Sequence, residues 1–182
     1  MSRAYKFHKP DGLYFISFAT VGWVDVFTRR DYRDIVVESL RFCQKEKGLL
    51  LFAWVIMSNH VHLIAEAAEG FKLQDIMRDL KKYTSKQITK AIEEHPGESR
   101  REWMLRIFRE AGQANSNNKD FQFWQQHNKP IELGTNEMID WYLNYLHENP
   151  VVVGYVEHAE DYVYCSAPAI AGKPGLLKLE EL

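Results

Sequence analysis

Residues 49–67, LLLFAWVIMSNHVHLIAEA, contain two apolar runs that are separated by a short polar turn. Each run has the length and composition of a buried strand, and so short a turn predicts that the two strands pair as an antiparallel hairpin. The second run begins with His60, Val61 and His62. Because successive side chains of a strand point to opposite faces of the sheet, both imidazoles should lie on one face.

The segments around this hairpin alternate between strand-like and helical patterns. Residues 13–21 are rich in β-branched and aromatic side chains and predict a first strand. Apolar residues then recur with helical spacing over residues 28–48, and again over residues 73–91 after the hairpin. The order strand, helix, strand, strand, helix lacks one strand of a split βαβ unit. We therefore predict an α+β fold, with a ferredoxin-like palm, an antiparallel sheet and helices on one face.

The C-terminal third is predicted to supply the last strand and one further helix. Two segments are candidates for the strand, residues 121–126 and residues 129–133, because both carry aromatic or β-branched side chains. A helix should follow from Thr135, and Pro150 should stop it because proline lacks the backbone donor. The single domain 1–182 then divides into a palm of about residues 12–133, this helix of about residues 135–149, and a C-terminal tail of residues 157–182.

The composition predicts one globular domain that works in a reducing compartment. Of the 182 residues 46% are hydrophobic, which is enough for a core, and Cys43 and Cys165 lack the spacing of a cysteine metal site. No apolar run approaches the roughly 18 residues that span a bilayer, so we expect a cytoplasmic protein with no membrane partner. The formal net charge of −2 argues against coating of nucleic acid by bulk electrostatics, although it allows a local basic patch.

The histidine pair is a candidate metal site. Two side chains on one face of a strand, two residues apart, have Cβ atoms about 6 to 7 Å from each other, so the rings of His60 and His62 can converge on one ion. A pair of partly exposed histidines without any function fits the same pattern. The pair alone leaves both interpretations open.

The predicted helix before Pro150 carries a second candidate group. Tyr145 and Asn149 are four residues apart and project from nearly the same face of a helix. If that face lies over the histidine pair, Asn149 can supply an oxygen ligand, and Tyr145 can attack a phosphodiester that a divalent cation polarises. A packed tyrosine and a capping asparagine are the structural alternatives, and Tyr142 is a competing nucleophile.

The second predicted helix carries a basic stripe. Arg78, Lys82, Lys86 and Lys90 recur every four residues on the side away from its apolar positions. Such a stripe is either a solvated face or a track for the phosphates of a DNA stem. We predict that these four residues bind DNA.

Together, the motifs resemble one known family. Residues 54–63, WVIMSNHVHL, are followed some eighty residues later by YLHENPV at 145–151 and GYV at 154–156. This combination resembles the HUH single-tyrosine transposases, and most closely their REP-associated tyrosine transposase branch. The blocks FWQQ at 123–126 and PIEL at 130–133 also fit that branch. The resemblance covers roughly residues 12–166.

The resemblance implies a specific chemistry. In this family the two histidines bind Mg²⁺ or Mn²⁺, and the tyrosine attacks single-stranded DNA beside a small hairpin to form a covalent 5′-phosphotyrosine. By position, His60, His62 and Asn149 are then metal ligands and Tyr145 is the nucleophile. The wider family includes members that share active sites between subunits, so the resemblance allows a homodimer. A non-catalytic DNA-binding relative and a metal phosphohydrolase remain the alternatives.

Overall fold

The computed structural model describes residues 7–9, 12–114, 120–126 and 128–182. The strands are β1 (Tyr14–Ala19), β2 (Leu49–Ile56), β3 (His60–Ala67) and β4 (Ile131–Glu132). The helices are α1 (Arg30–Glu46), α2 (Leu73–Glu94), α3 (Arg101–Gln113), α4 (Asn136–Val152) and α5 (Ala167–Ile170). Short 3₁₀ turns occupy Val21–Trp23, Val26–Thr28 and Ala159–Asp161. Among these described residues, no helix combines the length and the apolar character needed to cross a membrane.

The four strands form one antiparallel sheet in the order β2-β3-β1-β4. β2 and β3 pair as the predicted hairpin, and β3 then pairs with β1, so that His62 lies opposite Ser17 of β1 and Val55 of β2. With α1 between β1 and β2, and α2 after β3, this is the strand order of a ferredoxin-like fold. The predicted α+β fold class is confirmed.

Helices cover both faces of this sheet: the palm helices α1 and α2 pack together on one face, as predicted, and α4 covers the other face. Phe18 lies on the face that α2 covers, where the Nζ atom of Lys81 sits 5.8 Å from the centre of the Phe18 ring. Phe15, three positions earlier, points to the other face, and its ring centre is 4.6 Å from that of Tyr142 on α4. α1 packs against α2 and β2. The helix with the candidate nucleophile therefore lies on the sheet face opposite α2.

Both candidate segments for the last strand line the same edge of β1. β4, which lies inside the second candidate segment (residues 129–133), pairs with Tyr14 and Phe15. The first candidate segment contacts the next stretch of the edge, because the amide of Val21 donates to the carbonyl oxygen of Phe123 at 2.8 Å. The second candidate is thus the strand, and the first forms an isolated bridge beside it at Trp124. Which segment pairs with β1 depends on the backbone donors and acceptors at the edge of β1, and not only on the β-propensity of the segment itself.

The helix before the tail is longer than predicted, because α4 continues through Pro150 to Val152. Its end is set four residues after the proline by Gly154, which has φ +77°. The amide of Gly154 donates to the oxygen of Val151 and the amide of Tyr155 to the oxygen of Pro150, which is a Schellman motif. The prediction that Pro150 stops the helix was therefore wrong, since a left-handed glycine ends it instead.

The opposite edge of the sheet is covered by the C-terminal tail. Val55 of β2 pairs with Cys165, and the amide of Ile56 donates to the carbonyl oxygen of Tyr164 at 2.9 Å. Within the tail, the hydroxyl of Ser166 contacts the backbone of Trp54. The tail thus satisfies backbone groups that an exposed edge strand would leave unpaired.

A buried carboxylate ties the start of α1 to the segment before α3. Glu98 accepts hydrogen bonds from Arg29 at 2.8 Å, from Arg100 at 2.9 Å and from the hydroxyl of Tyr32 at 3.0 Å. Burial raises the pKa of Glu98, but the bonds from Arg100, Arg29 and Tyr32 outweigh it and lower this pKa to about 2. The carboxylate is therefore held ionised by its partners.

We expect Glu98→Gln to lower the free energy of unfolding at pH 7 by about 3 kcal/mol, because it leaves two guanidinium groups without their buried counter-charge. Since the pKa of Glu98 is depressed in the folded state, its stabilisation is complete above the carboxyl's unfolded value near pH 4.3 and is lost as the pH falls toward 2. Urea unfolding across this range measures both effects. The control Glu94→Gln, at an exposed residue of α2, should change stability by less than about 0.5 kcal/mol. Equal stability of Glu98→Gln and the unsubstituted protein at pH 7 would contradict this account.

Candidate active site

The two histidines lie side by side on the sheet face that α4 covers. Their ring centres are 4.7 Å apart, and they stand opposite Ala19 and Ser17 of β1. The alternation of β3 puts Val61 on the other face, where it is fully buried. This is the geometry that the spacing of the two histidines predicts.

His62 is the most unusual polar residue of this face. Only 4% of it is exposed, and neither ring nitrogen has a hydrogen-bond partner among the described residues. Burial, together with the nearby His60, lowers the pKa of His62 to about 3, and burial also lowers the pKa of His60, with hydrogen bonding to Asn149 as a smaller opposing effect. Buried polar atoms in folded proteins are nearly always paired. The two nitrogens of His62 therefore suit a ligand that the protein itself does not supply.

His60 is oriented by two residues that the sequence analysis did not identify as part of the site. Its Nδ1 atom lies 2.8 Å from Oδ1 of Asn59, while Nδ2 of Asn59 donates to Oδ1 of Asp25 at 3.0 Å. The amide nitrogen of Asn59 donates to Asp25, so the amide oxygen of Asn59 faces the His60 ring. Because that oxygen can only accept a hydrogen bond, the proton of neutral His60 is assigned to Nδ1. Nε2 of His60 then keeps its lone pair, as a metal ligand requires. No periodic pattern in the sequence links Asp25 to this site.

α4 places both of its candidate residues beside the histidines. The ring centre of Tyr145 is 5.6 Å from that of His62 and 5.9 Å from that of Phe15, and 44% of Tyr145 is exposed. Asn149 donates from Nδ2 to the carbonyl oxygen of Tyr145 at 2.7 Å, which leaves its Oδ1 atom for the side of His60. The structure thus brings the four predicted residues together within one chain.

The competing tyrosine has different neighbours. The ring of Tyr142 packs against Phe15 at 4.6 Å and Trp141 at 4.7 Å, whereas Tyr145 is the tyrosine whose ring contacts His62. Tyr142 is also less exposed than Tyr145. Position therefore favours Tyr145 as the group that reaches a bound phosphate.

The structure does not bring the predicted basic stripe to this site, because α2 covers the opposite face of the sheet. Arg78 forms ion pairs with Asp75 at 2.6 Å and Asp79 at 3.1 Å, and Lys90 lies 3.8 Å from Glu94. Lys82 and Lys86 lie on the same helix. DNA binding by these four residues stays a prediction, for a surface separate from the histidine pair.

The donor atoms at the site fit a divalent cation. Two neutral imidazoles and one amide group lie together here, and both ring nitrogens of His62 are without a hydrogen-bond partner among the described residues. No group of three or more His, Cys, Asp or Glu side chains in the described part of the chain is arranged to hold a metal, so this mixed set is the candidate. Three protein ligands leave coordination positions that water or phosphate oxygens can take.

Comparison with known protein families identifies the family of this chain. The family model described as "Transposase IS200 like" matches residues 16–108, which is more than half of the chain. The chain therefore belongs to the IS200-like transposase family, and the predicted membership in the HUH single-tyrosine transposases is confirmed. The matched region includes both histidines and ends before α4.

One solved structure shows the same fold. A REP-associated tyrosine transposase bound to a REP hairpin superimposes with a TM-score of 0.63 at 16% identity, covering 100% of this chain and 93% of the other. A candidate transposase from Deinococcus radiodurans matches with a TM-score of 0.47 at 19% identity, covering 82% of this chain and 95% of the other. The search of curated proteins found no match.

Proposed function

We propose that this protein cleaves single-stranded DNA beside a hairpin and transfers the strand through a covalent bond to Tyr145. The observation that carries the proposal is the position of the Tyr145 ring, 5.6 Å from a buried histidine whose nitrogens have no partner among the described residues. Membership in the IS200-like transposases supports DNA as the partner. The hairpin bound by the structurally similar REP-associated transposase supports the choice of substrate.

His60, His62 and Asn149 would hold Mg²⁺ or Mn²⁺ in this reaction. When bound, the cation would polarise the phosphoryl oxygens and stabilise the charge that develops in the transition state. The chain's own contribution is to place these ligands: β3 holds the two imidazoles on one face, Asn59 sets the proton of His60, and α4 presents Asn149 from above.

Tyr145 would act as the nucleophile. Its Oη atom forms a bond to phosphorus and gives up its proton, while the bond from phosphorus to the 3′ oxygen breaks and that oxygen leaves as a hydroxyl. The product is a 5′-phosphotyrosine. Because this bond is still a phosphodiester, the 3′-hydroxyl of another strand can attack it, which releases the tyrosine and joins the two strands. These two steps exchange one phosphodiester bond for another, so the reaction needs no external energy source.

The test is to incubate the protein with DNA hairpins that carry single-stranded extensions, in the presence of Mg²⁺ or Mn²⁺. We expect a protein–DNA adduct that survives denaturation and disappears when EDTA is present. Cleavage without an adduct would support the phosphohydrolase alternative, and binding without cleavage would support the non-catalytic alternative. Since one chain contains all four residues, the rate per protein should not depend on protein concentration, whereas a shared site in a homodimer would make it fall on dilution.

A further inference from the structure

Two tryptophans lie at the ends of a row of aromatic rings that crosses the candidate site. The ring centre of Trp23 is 6.2 Å from that of His60, and the ring centre of Trp141 is 5.4 Å from that of Tyr145. Between them the row continues from His60 to His62 at 4.7 Å and from His62 to Tyr145 at 5.6 Å. Each tryptophan therefore adjoins the site from a different side.

The side chains of both tryptophans are exposed to solvent. Trp23 is 54% exposed and Trp141 is 59% exposed, although tryptophan is one of the most buried residues on average. Such a large apolar ring loses favourable burial energy when it stays in solvent. Packing of the core does not explain these two positions, because neither residue belongs to the buried cluster.

The backbone of Trp23 is fixed in an uncommon conformation. Its φ angle is +55°, in the left-handed region that residues other than glycine seldom adopt, and it follows Gly22 with φ +64°. The amide of Trp23 donates to the oxygen of Thr20 at 3.2 Å, and its carbonyl oxygen accepts from Asn59 at 3.3 Å. Residues held in this way cluster at binding sites, where the surrounding structure offsets the strain. Asn59 thus orients both His60 and the tryptophan beside it.

Trp141 lies one turn before the candidate nucleophile on α4. Its ring is nearly parallel to that of Tyr145, with an angle of 4° between the planes, and it meets Tyr142 edge-on. Tyr145 therefore covers part of one face of the indole, and the exposed remainder of the Trp141 ring faces solvent. α4 contains no lysine or arginine. A DNA strand that lies along α4 therefore has no lysine or arginine of this helix to bind its phosphates.

We propose that Trp23 and Trp141 stack against the nucleobases on the two sides of the phosphate that Tyr145 attacks. This inference rests on the proposed function and names how the single strand is held there. Unpaired bases expose their faces, and aromatic side chains bind them with little regard to sequence. Stacking on the two rings would fix the phosphate between them, over the histidines and within reach of Tyr145.

The experiment compares Trp23→Ala and Trp141→Ala with the control Phe42→Ala, which removes a similarly exposed aromatic ring from α1, a helix outside the predicted DNA-binding surfaces. All are made in the Tyr145→Phe background, which keeps the ring but prevents reaction. The probe is a fluorescent DNA hairpin with a single-stranded extension of randomised sequence. We expect each tryptophan variant to raise Kd by about 5- to 150-fold, the range of 1–3 kcal/mol per stacked base, while Phe42→Ala leaves it unchanged. Trp23→Phe and Trp141→Phe should restore most of the affinity.

Abasic substitutions in the extension locate each contact. If Trp23 stacks on one base, removal of that base should weaken DNA binding by the Tyr145→Phe protein but should not further weaken DNA binding by the Trp23→Ala variant. Removal of a different base should show the same pattern with Trp141→Ala. Unchanged affinity of both alanine variants would overturn the stacking proposal, even if the unsubstituted protein forms the adduct. An absence of DNA binding by every protein, including the unsubstituted one, would overturn the stacking proposal and the proposed function together. Adduct formation by the unsubstituted protein, together with weaker DNA binding by the two tryptophan variants alone, supports the proposed function and the stacking proposal.

Discussion

Tyr145→Phe is expected to abolish the covalent protein–DNA adduct, whereas Tyr142→Phe should leave it at the level of the unsubstituted protein. Phenylalanine keeps the ring contacts of Tyr145 with His62, Phe15 and Trp141, so the change removes little besides the attacking oxygen. Loss of a covalent nucleophile lowers the rate by at least about 10³-fold. Denaturing electrophoresis of the reaction with a labelled hairpin measures the adduct directly.

The matched tyrosine makes this result specific. Tyr142 lies on the same helix, contacts Phe15 as Tyr145 does, and differs in having no ring contact with His62 among the described residues. An undiminished adduct in Tyr145→Phe would refute the assignment of the nucleophile, and loss of the adduct only in Tyr142→Phe would transfer the role to that residue. Melting temperatures of both variants should stay close to that of the unsubstituted protein, which excludes unfolding as the cause.

The second large effect concerns the unpartnered imidazole. We expect His62→Leu to raise the free energy of unfolding of the metal-free protein by about 1–2 kcal/mol and, at the same time, to abolish the adduct. Both buried nitrogens of His62 lack partners in the described structure, and a buried polar atom without a partner costs about 1–3 kcal/mol. Leucine has a similar size and leaves no such atoms beside Phe15. Urea unfolding in the presence of EDTA gives the stability difference.

Added Mn²⁺ should then affect the stability of the unsubstituted protein and of His62→Leu differently. If the histidines bind the ion, Mn²⁺ raises the melting temperature of the unsubstituted protein, because a ligand that binds only the folded state stabilises it, and it has no such effect on His62→Leu. The control is His147→Leu, at a half-buried imidazole whose Nε2 atom is 2.9 Å from the hydroxyl of Ser166. That change breaks a hydrogen bond between α4 and the tail, so it should lower stability and keep the response to Mn²⁺. A lower stability of metal-free His62→Leu would show that its nitrogens are not a cost to the fold.

Much of the site geometry follows from local periodicity. The alternation of a strand puts His60 and His62 on one face, and the helical repeat puts Tyr145 and Asn149 on one side of α4, whatever the rest of the chain does. The hairpin of β2 and β3 is equally local, because two apolar runs joined by a short turn have few other ways to bury their surface. For these reasons β3 begins and ends at the residues that the pattern predicts.

Long-range packing decided the features that the pattern predicted poorly. β4 is only two residues long because its extent depends on the free edge of β1. α4 passes through Pro150 because a left-handed glycine further on supplies the bonds that end it. The basic side of α2 faces away from the histidines, since the same helix must bury its apolar side against the opposite face of the sheet.

The sequence by itself determined the fold class, the family and the identity of the four candidate site residues, because periodicity and short motifs are properties of neighbouring residues. Only the tertiary structure decided that α4 lies over the histidine face within one chain, that Asp25 and Asn59 orient His60, and that Trp23 and Trp141 flank the site. The contacts of Trp23 with His60, of Asp25 with Asn59 and of His62 with Tyr145 each join segments that are distant along the chain and share no repeat. Their positions depend on how the sheet buries its two faces, which no local pattern specifies.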